Sequence, residues 1–251
     1  MLIPQTAWNR HPHLTSMHWY RQTGKPAGVE TSQSQRPDFR MPPMRVRLLG
    51  ATSLILVLLA GCGSAPPPLP PLAPDAVILA FGDSLTYGTG APRAQSYPAY
   101  LEALTAHRVI NAGVPGELSS AGIRRLPALL EQHRPGLLIL CHGGNDLLRK
   151  VDEAELRSNL STMIDITRQR GISVVLVGVP RPALLFMDTA PLYREIAAQY
   201  RIPLEDTILT ELESDAALKS DQIHPNGNGY QALARAIFQL LVDSGVLPGG
   251  G

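Results

Sequence analysis

Short runs almost free of polar side chains punctuate this chain: VILAF at Val77–Phe81, LLILC at Leu137–Cys141 and SVVLVG at Ser173–Gly178. A strand with one wet face alternates apolar and polar residues, whereas a strand buried on both faces does not. Between these runs lie stretches of helical patterning at Ser96–Ala106, Ser119–His133, Asp152 to about Arg170, Thr189–Tyr200 and Asn226–Val242. Two shorter runs, Arg108–Asn111 and Ile202–Leu204, complete the alternation. Parallel strands need a crossover between them, and intervening helices supply it. The expected architecture is therefore α/β, a parallel sheet of about five strands covered by helices on both faces. Ligands of such sheets bind beyond the carboxyl ends of the strands, which is where chemistry is to be sought.

Small and polar residues stand at those ends. Gly82-Asp83-Ser84-Leu85 follows the first run, and NAGVPGELSS, with Gly113 and Gly116, follows the second. HGGNDLL, with Asn145, follows the third, and DQIHPNGNGY, with Asp221 and His224, precedes the last helix. Each fragment alone has an ordinary reading. Gly, Asp and Ser favour turns, and Pro225 suits the start of a helix. Taken together they supply what acyl transfer from an ester requires: an activated hydroxyl, a base and donors for the developing oxyanion. Ser84 offers the hydroxyl, and His224 an imidazole that titrates near neutrality. Asp221 stands three residues before His224, placed to accept the other ring N–H. The backbone N–H groups of Ser84 and Gly116 and the Asn145 amide are the candidate oxyanion donors. Asp83 reads as a residue that shapes the loop, Cys141 as a buried thiol and His142 as a strand-end residue.

Other catalytic patterns are missing. Position 86 is Thr, so the Gly-x-Ser-x-Gly elbow is not formed, and no Gly-Lys-Ser/Thr or His-Glu-x-x-His occurs. Gly88-x-Gly90 is followed by Arg93 where the dinucleotide fingerprint needs a third glycine.

The four blocks, in this order, resemble the SGNH (GDSL-type) hydrolase family, named for Ser, Gly, Asn and His. Here those residues are Ser84, Gly116, Asn145 and His224, and Asp221 completes an Asp-x-x-His pair. NAGVPGELS, GGNDLL and DQIHPN are most similar to the bacterial thioesterase, arylesterase and lysophospholipase subgroup. The resemblance implies a three-layer flavodoxin-like fold, serine ester hydrolysis and no cofactor. It also implies a small-molecule or lipid ester as substrate. Deacetylation of envelope polysaccharide is the alternative within this chemistry. A non-catalytic surface lipoprotein is the rival reading, and such a protein is expected to lose Ser, His or the oxyanion residues.

The N-terminal quarter carries a different message. Residues 1–61 hold seven Lys/Arg against two Asp/Glu, and the remainder fifteen against nineteen. The folded part thus has no basic surplus for nucleic acid. Arg45 and Arg47 precede a 13-residue apolar run, Leu48–Ala60, which ends in Leu59-Ala60-Gly61-Cys62. That run is shorter than the roughly 20 residues of a spanning helix and suits a secretory signal. Its end resembles the lipobox of bacterial lipoproteins, so Cys62 is the expected lipidation site. The expected location is the bacterial cell envelope, on the periplasmic face of a membrane. The resulting division is an upstream extension at 1–43, expected to be non-native and disordered, and a lipoprotein signal at 44–61. A proline-rich tether at 62–75 and a hydrolase domain at 76–245 complete it. His11, His13 and His18 lack Cys or acidic companions, and no metal site is expected. The apolar segment PRPALLFMDTA, residues 180–190, is a candidate wall for an acyl pocket.

Overall fold

The computed structural model describes residues 65–181 and 188–248. Its centre is a parallel sheet of β1 (Ile78–Gly82), β2 (Val109–Gly113), β3 (Leu137–Cys141), β4 (Ser173–Val177) and β7 (Leu204–Glu205), in the order β2-β1-β3-β4-β7. Every residue of β1 and β3 is buried, as runs without polar alternation require. Their register sets Ile78 beside Val109 on one side and Leu137 on the other.

The order of strands dictates the layers. From β1 the chain moves out to the edge strand β2, then returns across β1 to β3 and continues to β4 and β7. Right-handed crossovers put helices from opposite directions of travel on opposite faces. α2 (Tyr97–Thr105) accordingly packs with the last helix, α8 (Gly227–Asp243), while α3 (Ser119–His133) packs with α5 (Glu153–Arg168) and α5 with α6 (Pro191–Tyr200). This is the three-layer flavodoxin-like arrangement, and its strand order reverses between β1 and β3. A crevice opens there beyond the carboxyl ends. Short helices α1 (Ser84–Tyr87) and α4 (Gly144–Leu148) leave the tips of β1 and β3, and α7 (Ile208–Ser214) follows β7.

Several boundaries differ from those read in the sequence. Thr189 was expected to open a helix, but it pairs with Pro180 in a short antiparallel ladder of β5 (Pro180–Arg181) and β6 (Asp188–Thr189). The helix begins at Pro191, whose missing N–H costs nothing in a first turn. Ile202 was expected to be a strand residue, yet its N–H still bonds to the Ala197 carbonyl, and pairing starts at Leu204. The proline-rich segment is also not wholly free of the domain. The Leu69 and Leu72 N–H groups bond to the Ser244 and Val246 carbonyls at 2.8 and 2.9 Å, and both leucines pack on the core. Val246 and Leu247 are buried, so the packing extends beyond residue 245. Cys62, the apolar run before it and residues 182–187 of the proposed acyl wall lie outside the described residues.

Candidate active site

Ser84 opens α1 directly after β1, where Asp83 caps the helix by accepting the Leu85 N–H at 3.1 Å. The histidine arrives from the far end of the chain. Asp221 Oδ1 accepts the N–H groups of Ile223 and His224, both at 2.8 Å, which folds the loop back on itself. Asn226 fastens the loop from below, since its side chain caps α8. In that fold Asp221 Oδ2 lies 2.8 Å from His224 Nδ1, and His224 Nε2 lies 3.0 Å from Ser84 Oγ. A carboxylate beside Nδ1 keeps the proton there and leaves the Nε2 lone pair toward the hydroxyl. Burial works against the Asp221 charge, but the His224 and Ile223 N–H groups and the His224 ring outweigh it. They hold its pKa at about 2.

Gly116 lies on the turn after β2 at φ +76°, a conformation that favours glycine. The turn closes through the Glu117 N–H to the Val114 carbonyl, and Arg149 Nη2 donates to the Gly116 carbonyl at 3.2 Å. Asn145 lies in α4, with Nδ2 3.4 Å from Asp83 Oδ2. Asp83, 1% exposed, thus ties the Ser84 turn to the Asn145 loop, as befits a residue that shapes the site. Burial raises its pKa, while His142 and the N–H groups of Leu85 and Gly144 pull the other way. Ser84, Gly116, Asn145 and His224 line one cleft of about 530 Å³, with Leu85, Leu148, Val179 and Ile223 as apolar lining. All five residues assigned to chemistry in the sequence therefore converge, four on the cleft itself and Asp221 behind His224.

A second cluster beneath the site was not foreseen. His142, fully buried, receives the Gly143 N–H on Nδ1 at 2.9 Å and so donates from Nε2 to Glu117 Oε2 at 3.1 Å. Arg125 grips the same carboxylate through Nε and Nη2, donates to the Gly82 carbonyl at 3.0 Å, and lies over the Phe81 ring. Gly122 makes the room, because a Cβ there would come within 2.6 Å of His142 Nε2. The cluster fastens the start of α3 to the tips of β1 and β3. A glycine in the first turn of α3 is its one local signal.

The chain has counterparts among known proteins. The GDSL-like lipase/acylhydrolase family model matches residues 80–232, from β1 into α8. The chain belongs to this family. Esterase TesA of Pseudomonas aeruginosa is 32% identical over 158 residues, which cover 59% of this chain and 79% of that protein. An arylesterase of Vibrio mimicus is 31% identical over 178 residues, covering 66% and 88%. Among solved structures, the SGNH-hydrolase family esterase AlinE4 is 34% identical with a TM-score of 0.53, covering 68% of this chain and 96% of that one. Family membership makes the protein a carboxylic ester hydrolase.

Proposed function

We propose that this protein hydrolyses short- to medium-chain carboxylic esters or thioesters, of aryl, acyl or lysophospholipid type, through a Ser-His-Asp triad and an acyl-enzyme. The observation that carries the reading is the 3.0 Å approach of His224 Nε2 to Ser84 Oγ, with Asp221 on the opposite ring nitrogen. His224 takes the hydroxyl proton as Ser84 Oγ bonds to the carbonyl carbon. Asp221 stabilises the imidazolium that results. The Ser84 and Gly116 N–H groups and the Asn145 amide receive the oxyanion. The tetrahedral adduct collapses as His224 returns the proton to the departing alcohol or thiol. Water then attacks the acyl-Ser84 by the same route, giving the acid and free enzyme. The cleft's apolar lining favours an acyl chain over a polysaccharide.

An active-serine phosphonate tests this reading directly. The wild-type protein should take up one equivalent, and Ser84→Ala none. Stoichiometric labelling of the variant at another residue would overturn the assignment.

The same proposal includes location, in a bacterial envelope membrane through lipid on Cys62. It is supported by Arg45, Arg47, the 13-residue apolar run and Leu59-Ala60-Gly61-Cys62. Cys62→Ser should release the protein from membranes or leave its signal uncleaved, and mass spectrometry of the mature N-terminus decides which. A form beginning at Ala65 retains Leu69 and Leu72 and should hydrolyse a water-soluble ester normally, because the triad lies downstream. Mature protein with unmodified Cys62 would refute the anchor.

A further inference from the structure

Two acidic residues on the cleft lie outside the triad: Asp83, which is bonded into the frame of the site, and Glu213. Glu213, near the end of α7, lines the same cleft as Ser84 and His224, as do the apolar Ile223 and Val179. Among the described residues its carboxylate takes part in no hydrogen bond or ion pair. Lys219, the cation that acts on it, donates from Nζ to the Glu213 backbone carbonyl at 2.7 Å and forms no ion pair with the carboxylate. Burial raises the Glu213 pKa to about 7, with Lys219 opposing the rise. A half-buried carboxylate without a hydrogen-bond partner has lost hydration that a cationic ligand would replace.

We propose, resting on the esterase reading above, that Glu213 is a specificity residue selecting esters whose alcohol half carries an ammonium group. The chain decides which half. α7 leads through the short turn at 216–218 into the loop of Asp221 and His224, and Glu213 and His224 both line the cleft. His224 delivers its proton to the leaving oxygen, and on this proposal the alcohol half lies on the side of the cleft that this segment supplies. An ammonium group a few bonds from the ester oxygen meets the Glu213 carboxylate there.

The test compares kcat/KM for a choline ester with that for the 3,3-dimethylbutyl ester of the same acid, its uncharged isostere. At about pH 8.5 the carboxylate is ionised. The wild-type enzyme should prefer the choline ester. Glu213→Gln should lower the cationic-to-neutral ratio about five- to ten-fold, the scale of one partly screened charge pair. Glu213→Lys should lower it further, and phosphonate titration counts intact sites in each variant. A ratio moved less than two-fold by both substitutions overturns the proposal. So does an equal response by esters carrying the ammonium group in the acyl half. If the wild-type enzyme hydrolyses the neutral ester and only the ratio is insensitive, Glu213 alone loses its role. If it hydrolyses neither ester, the Glu213 proposal is overturned, and the serine-triad reading falls with it only where the phosphonate also fails to label Ser84.

Discussion

The molecule contains two histidine–carboxylate pairs, and they do opposite things. In Asp221–His224 the ring is 19% exposed and the carboxylate 53%, while in Glu117–His142 the values are 0% and 7%. Both carboxylates are held at about 2. For Glu117, burial raises the pKa, but hydrogen bonds from His142 and Arg125 and the Arg125 charge outweigh it. The pairs therefore do not differ in how firmly the acid is ionised. They differ at the second ring nitrogen. His224 Nε2 meets a hydroxyl at 3.0 Å, whereas His142 Nδ1 is occupied by the Gly143 N–H at 2.9 Å. An imidazole whose two nitrogens both serve the backbone and a structural acid can move no proton to substrate. A carboxylate–histidine pair is a catalytic device only where its free nitrogen faces something that reacts.

That contrast can be broken most sharply by removing one ring at a time. His224→Ala should lower kcat by about 10⁴–10⁶, and Asp221→Asn by about 10⁴ through the wrong tautomer. Both variants should keep the wild-type urea midpoint, because the pair stands on an exposed loop. His142→Ala should show the reverse pattern, a lower midpoint with a far smaller kcat loss per folded molecule. Equal kcat losses from the two histidines, measured on one soluble ester, would erase the distinction.

Asn145 ranks next. Loss of one side-chain oxyanion donor costs about 10²–10³ in kcat, and Asn145→Ala should fall in that range with KM little altered. A raised KM at constant kcat would make Asn145 a ground-state contact and leave the oxyanion to the two backbone donors. The Asp83 contact adds a check. Asp83→Asn should weaken kcat while leaving phosphonate stoichiometry at one, because it disturbs the placement of Asn145 and not the nucleophile.

The sequence disclosed one of these two pairs and concealed the other. Asp221 and His224 are three residues apart on a loop beside a predicted helix, so their partnership is local and legible. Glu117, Arg125 and His142 come from a turn, a helix and a strand end, and only the packing of α3 over β1 and β3 brings them together. His142 looked like an ordinary strand-end residue because nothing near it in the chain announces a partner. The fold was legible for a related reason. Runs such as Leu137–Cys141 carry their burial in their composition, whereas Leu204–Glu205 is a two-residue edge strand defined only by pairing with β4. Leu69 and Leu72 were hidden among prolines, and their docking depends on carbonyls at Ser244 and Val246 that no local pattern predicts.

Stability should separate the pairs as activity does. Glu117→Ala strands the buried His142 ring and the Arg125 guanidinium, and loss of one partner of a buried pair should cost about 3–5 kcal/mol. Gly122→Ala should reach the same network from the helix side, because its new methyl group would meet His142 Nε2. Urea unfolding at neutral pH measures both. A Glu117→Ala midpoint equal to that of the wild-type protein would mean that Arg125 and His142 find water in its place.

The smallest expected effect is the shape of the acid limb. Glu117 has a folded-state pKa of about 2 against an ordinary 4.5, so between those values the unfolded chain binds the proton the folded one refuses. The stability this supplies is complete above about pH 4.5 and drains away as pH falls toward 2. Asp221 is shifted in the same direction, but its carboxylate is more than half exposed and solvent screens its contribution. Urea midpoints taken at steps from neutral pH down to about 2 should therefore show a shallower fall for Glu117→Gln than for the wild-type protein. Asp221→Asn should follow the wild-type slope closely. If Asp221→Asn flattened the limb as much as Glu117→Gln, the exposed pair would be holding the fold together as well. The division between a pair that reacts and a pair that braces would then have to be given up.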